Sequence, residues 1–97
     1  MTFQPDKCED FLAIFESSKD RIRAFEGCHH LELWRGRHPD NVFMTYSHWS
    51  DEEALEAYRQ SPLFAATWAR TKALFADRPQ AWSLDLTSVP SSQSSHR

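Results

Sequence analysis

Five histidines, two cysteines and fourteen acidic side chains are spread over this 97-residue chain, and their spacing decides which chemistry they support. Imidazole alone has an ordinary pKa near 6.5, so a histidine is the side chain best suited to take a proton at neutral pH. His48, in the run Tyr46-Ser47-His48-Trp49, is the candidate general base. Tyr46, two residues earlier, shares its side of an extended strand and is the second candidate for proton transfer. A structural hydrogen bond from His48 to Tyr46, or to a partner's carboxylate, is the competing reading, because buried histidines are usually satisfied rather than catalytic. His29 and His30 look like a metal motif, but neighbours on a strand leave on opposite faces and cannot chelate one ion together. With His38 in a turn and no paired cysteines, no metal site is expected. Cys8 stands beside Lys7 near a helix start, yet it falls in an apolar stripe and reads as a small buried hydrophobe rather than a nucleophile. The cluster Asp51-Glu52-Glu53 suits the positive end of a helix dipole. There is no Gly-rich phosphate loop and no G-x-G-x-x-G, so neither flavin nor nicotinamide has a recognisable seat and no cofactor is expected.

The elements that must position these residues follow from periodicity. Cys8, Phe11, Leu12, Phe15, Ile22 and Phe25 recur at helical steps, Pro5 suits a first turn and Gly27 a left-handed stop, so a helix is expected from about Pro5 to Ala24. His29 to Trp34 alternates, Gly36, Pro39, Asp40 and Asn41 form a turn, and Asn41 to Trp49 is β-branched and aromatic, which predicts a hairpin. Ser50 with Glu53 reads as a capping box. Ala54, Leu55 and Tyr58 give the short helix that follows an inner side. Ser61-Pro62 restarts the helix, and Leu63, Phe64, Thr67, Trp68, Thr71, Leu74 and Phe75 form its stripe. Trp82, Leu84 and Leu86 alternate within a closing strand, Ala81 to Thr87. With Met1 to Gln4 as a short first strand, the order is β-α-β-β-α-β, an α+β ferredoxin-like fold with an antiparallel four-stranded sheet and helices on one face.

One domain over residues 1–87 and a mobile Ser-rich tail over 88–97 are expected. The uncovered sheet face carries either Val42, Met44, Tyr46 and His48 or Phe43, Thr45, Ser47 and Trp49, and either set is apolar enough to call for a second copy packed sheet to sheet. A formal charge of −3 with both signs scattered argues against nucleic acid. No stretch approaches a membrane span and the start is not a signal peptide, so a cytoplasmic protein is expected, with Cys8 and Cys28 as free thiols.

The run Tyr46-Ser47-His48-Trp49-Ser50-Asp51-Glu52-Glu53-Ala54-Leu55-Glu56-Ala57-Tyr58, followed by Ser61 and Phe64, resembles the antibiotic biosynthesis monooxygenase family of dimeric α/β barrels. The likeness spans about residues 3 to 86. The family's first strand is usually longer than Met1 to Gln4, which implies either a shortened edge or a start at an internal methionine. The likeness puts Trp49 between sheet and helices. Alternation then adds Phe43, Thr45 and Ser47 to its face, with Phe11, Phe15, Phe64 and Trp68 as the opposite wall. Such a wall suits a flat aromatic ligand, although the same aromatics could simply fill the core. Haem-degrading relatives carry a histidine where this chain has Trp68, and an indole N–H has no lone pair for iron. The resemblance therefore implies a cofactor-independent monooxygenase for a small aromatic or quinol-like compound, with His48 or Tyr46 moving the proton. A non-catalytic dimeric binding module, or an isomerase or degrading enzyme for a small signalling metabolite, is the alternative.

Overall fold

A computed structural model describes residues 1–90 of the chain. A 3-10 turn at Pro5–Lys7 leads into helix α1 (Cys8–Arg23). Strands β1 (Cys28–Arg35) and β2 (Phe43–Trp49) follow, then helices α2 (Glu52–Arg59) and α3 (Pro62–Lys72). The fold is α+β, with an antiparallel sheet and helices, as the periodicity predicts.

Helix α1 buries Cys8, Phe11, Ile14, Ser18 and Ile22 along one stripe. Ser18 is tolerated there because its hydroxyl donates to the Ile14 carbonyl at 2.7 Å, leaving no polar atom unsatisfied. The helix closes at Ala24, and Gly27 turns the chain with φ of +90°. A Cβ at Gly27 would lie 2.5 Å from the Ala54 Cβ, so glycine serves both the turn and the close approach of α2.

The hairpin register pairs Leu31 with Ser47, Leu33 with Thr45 and Arg35 with Phe43 on the side that meets the helices. His30 with His48, Glu32 with Tyr46 and Trp34 with Met44 lie on the other side. Met1–Gln4 forms single antiparallel bridges, Thr2 to Val42 and Phe3 to Phe75, so the expected first strand is a short strip between the hairpin and Leu74–Ala76. Phe3 sits at its centre, fully buried, stacked on Phe11 at 4.2 Å and edge-on to Phe43 at 5.6 Å. Burial of each such ring contributes about 1.5–3 kcal/mol.

Two expectations need correction. Ala81 to Thr87 forms no strand in this chain: Trp82, Leu84 and Leu86 are exposed. Apolar alternation alone makes no strand: main-chain groups need a neighbouring edge, and no described residue pairs with Ala81 to Thr87. The cap of α2 is Asp51, not Ser50: its carboxylate accepts from the Ala54 N–H at 2.8 Å. The Ser50 N–H is held by the Gly27 carbonyl at 2.8 Å, which keeps Ser50 at the strand end and starts the helix one residue later. Ser61 caps α3 as predicted, accepting from the Phe64 N–H at 3.1 Å. Ser88, Val89 and Pro90 are exposed, and residues 91–97 of the expected tail lie outside the described residues.

Candidate functional site

The sequence-predicted site residues fall on two sides of the hairpin. Strand alternation sends Phe43, Thr45, Ser47 and Trp49 toward the helices, and Tyr46 and His48 away from them. One bound molecule therefore cannot touch both Trp49 and His48 within a single protomer.

On the helix side the aromatics form a continuous arc. Trp49 stacks on Tyr58 at 5.1 Å. Tyr58 meets Phe64 at 5.2 Å, Phe64 stacks on Trp68 at 5.7 Å, and Trp68 meets Phe75 at 5.5 Å. Phe75 meets Phe3 at 5.1 Å, and Phe3 returns to Phe43. The arc begins and ends on β2, six residues apart, and spans Thr45 and Ser47, which remain exposed. Phe11 and Phe43 belong to the buried core rather than to a ligand wall, whereas Trp49, Phe64 and Trp68 are half-buried. The Trp49 indole N–H donates to the Ser47 hydroxyl at 3.0 Å.

Tyr58 is the residue that sequence reasoning missed here. Its phenol pKa is pushed up to about 12, chiefly by burial and further by the neighbouring Cys28. Like any phenol it is protonated at neutral pH, and burial extends that state well into alkaline pH. Its place on the inner side of a short helix, three residues before Ser61, was the available signal.

Phe15 lines a different hollow, a groove of about 510 Å³ between α1 and β1 shared with Lys19, Arg23, Leu31 and Leu33. The cations there are engaged: Lys19 with Glu16 at 2.8 Å and Arg23 with the Cys28 carbonyl at 2.7 Å.

On the open side the polar groups interlock. Tyr46 Oη and His48 Nε2 are hydrogen-bonded to each other. His30 Nε2 bonds Glu32 Oε2 at 2.6 Å, and the Trp34 indole N–H donates to Glu32 Oε1 at 2.8 Å. The His30 bond, with that of Trp34, holds the Glu32 carboxyl below its ordinary range. The His30 and His48 rings stand 6.0 Å apart. His29 instead bonds Ser50 Oγ at 2.7 Å, so the adjacent histidines part company. The His30, Glu32 and Trp34 trio was legible only as alternation, since nothing in the sequence marks which alternate residues will bond. Among the described residues no group of three or more His, Cys, Asp or Glu side chains is arranged to hold a metal ion. Cys8 and Cys28 are buried free thiols.

Comparison with known proteins adds a second line of evidence. Residues 1–70 match the family described as antibiotic biosynthesis monooxygenase. The uncharacterized protein sll1783 of Synechocystis sp. (strain ATCC 27184 / PCC 6803 / Kazusa) is 30% identical over 61 residues, 63% of this chain and 42% of that protein. The chain thus spans less than half the length of that relative. A crystal structure described as an antibiotic biosynthesis monooxygenase superposes with a TM-score of 0.84 at 15% identity, covering 90% of this chain and 92% of that one. Rv0793 from Mycobacterium tuberculosis gives 0.74 at 23% identity, covering 90% and 91%. PA3566 from Pseudomonas aeruginosa gives 0.70 at 25% identity, covering 79% and 78%. With the match over residues 1–70 and the arrangement of helices on an antiparallel sheet in agreement, the chain belongs to the antibiotic biosynthesis monooxygenase family.

Proposed function

We propose that this chain is a monooxygenase that works without flavin, nicotinamide or metal on a small quinol-like aromatic compound, with its chemistry on the open side of the hairpin. The observation that supports this reading is the His48–Tyr46 bond beside the exposed Trp34 and Met44, an imidazole next to aromatic surface. His48 takes a phenolic proton and Tyr46 fixes the imidazole ring. The resulting anion gives electrons to O₂; one oxygen atom enters the substrate and the other leaves as water, so the substrate supplies all four electrons. Family members are commonly dimeric. A homodimer pairing these sheet faces would cover Trp34, Met44 and Tyr46 and exclude water from the reaction. Oxygen uptake with a panel of quinols tests the reading. A His48→Ala variant as active as the parent would falsify the assignment of the base.

A second reading takes the chain as a dimeric module that binds an apolar ring against Trp49, Tyr58, Phe64 and Trp68 without turning it over. It is supported by the make-up of the arc, in which the phenol of Tyr58 is the one ionisable side chain among Trp49, Tyr58, Phe64 and Trp68. Quenching of tryptophan fluorescence by an aromatic ligand, with no product under O₂, favours this reading.

A further inference from the structure

We propose that His30 and His48 together bind a borderline-soft divalent cation, Zn²⁺, on the open side of the hairpin, as a site of two imidazole donors completed by water. Binding by this pair does not depend on which reading of the activity holds. The ion is no part of the oxygen chemistry proposed above. An imidazole that holds a cation on one nitrogen and a hydrogen on the other has no lone pair for a further proton, so where His48 is the base, occupancy and catalysis exclude one another.

A β-bulge makes the pair. Cys28 lies opposite Trp49 and His30 opposite His48, so β1 takes two steps where β2 takes one. Strict alternation would send His30 to the helix side with Cys28, which is buried there. The extra residue turns His30 to the open side instead, level with His48, while His29 bonds Ser50 Oγ. Adjacent His29 and His30 cannot share an ion, but the hairpin gives His30 a different partner from the facing strand. The two rings stand 6.0 Å apart, centre to centre. Two imidazoles on one zinc ion, each with Zn–N of about 2.0–2.1 Å, have ring centres roughly 5–6 Å apart, so side-chain rotation alone brings both to one ion. Both histidines are exposed, which leaves the remaining coordination positions to water.

Each ring already has one nitrogen held. The lowered Glu32 carboxyl is ionised at neutral pH and can only accept, so it takes the His30 Nε2–H and leaves the lone pair on Nδ1. Tyr46 Oη bonds His48 Nε2 and can accept its N–H in the same way. Among the described residues the Nδ1 of neither ring has a hydrogen-bond partner. A carboxylate behind a histidine is the arrangement that fixes tautomer and ring direction in metal sites and raises the basicity of the ligand. Of the residues paired on this side, Glu32 alone carries a fixed charge, and it is negative. Imidazole donors suit zinc, whereas magnesium prefers carboxylate, carbonyl and water oxygens.

Calorimetric titration of the full chain with ZnCl₂ at neutral pH is the test, beside His30→Ala, His48→Ala and His29→Ala, with MgCl₂ as the second cation. All three histidines are exposed, so the variants keep the fold. The expected result is one zinc ion per chain in the parent and in His29→Ala, binding weakened roughly tenfold or more in His30→Ala and in His48→Ala, and no uptake of magnesium. A parent that takes up no stoichiometric zinc overturns the proposal. So does parental affinity in either His30→Ala or His48→Ala, which would put the ion on other donors such as the thiols, and so does loss of binding in His29→Ala. Equal uptake of magnesium overturns it as well, because a carboxylate and not the imidazole pair would then be the attraction.

Discussion

Phe43 and Met44 are consecutive residues, yet the first is 1% exposed among Phe3 and Phe11 and the second is 57% exposed on the opposite side of the hairpin. The same contrast runs along β2. Its helix-facing residues end in packed rings, Phe43 at one end and Trp49 on Tyr58 at the other, while Tyr46 and His48 bond only to each other on an open surface. The helix side contributes stability and the open side keeps its titratable groups accessible. A strand lets one protein do both because adjacent side chains enter different solvents.

The comparison breaks first if Phe43 is not the stronger anchor. Phe43→Ala should cost about 3–5 kcal/mol of protomer stability, against roughly 0.5 kcal/mol or less for Met44→Ala, in denaturant titrations. Similar losses would show that the open face is packed within the protomer. The functional counterpart is His48→Ala, expected to slow oxygen uptake about 10²-fold or more with the denaturation midpoint nearly unchanged. Trp49→Ala should show the reverse balance, losing stability before rate. A smaller effect separates two neighbouring caps: Asp51→Ala should cost about 1 kcal/mol, and Ser50→Ala clearly less, because only Asp51 accepts the Ala54 N–H.

The subtlest contrast is in pH. Tyr58 has its pKa raised to about 12, so the folded chain holds that proton more tightly than the unfolded one. The associated stability is complete below the ordinary phenol value of 10 and is lost as pH rises toward 12. Tyrosinate absorbance should show one of the two tyrosines ionising near 12, and Tyr58→Phe should remove that step. On the open side the sign reverses. The Glu32 carboxyl is lowered, so its contribution is present above the ordinary value of 4.5 and fades as pH falls through the lowered one. Because Glu32 is partly exposed and screened by water, it should produce only a slight change in the acid limb, which Glu32→Gln would flatten.

Much of this was legible in the residues. The helical stripe of Cys8, Phe11 and Ile22, the stop at Gly27, the hairpin, the Ser61-Pro62 restart and the division of His48 from Trp49 all follow from period and local stereochemistry. The closing strand was not, because Trp82, Leu84 and Leu86 carry a strand pattern that needs a neighbouring edge, and no pattern supplies one. The same holds for the Asp51 cap. Ser50 and Asp51 are both good caps, and a main-chain bond from distant Gly27 chose between them.

By itself the sequence determined which segments curl, which extend and which side chains share a face, since those depend on neighbours within a few residues. Only the tertiary structure decided that Phe11 and Phe43 fill the core while Phe64 and Trp68 remain half-open, and that Tyr58 is buried enough to raise its phenol pKa. Burial, ring contacts and strand pairing are relations between residues far apart in the chain, and they are set by which surfaces meet when the elements pack.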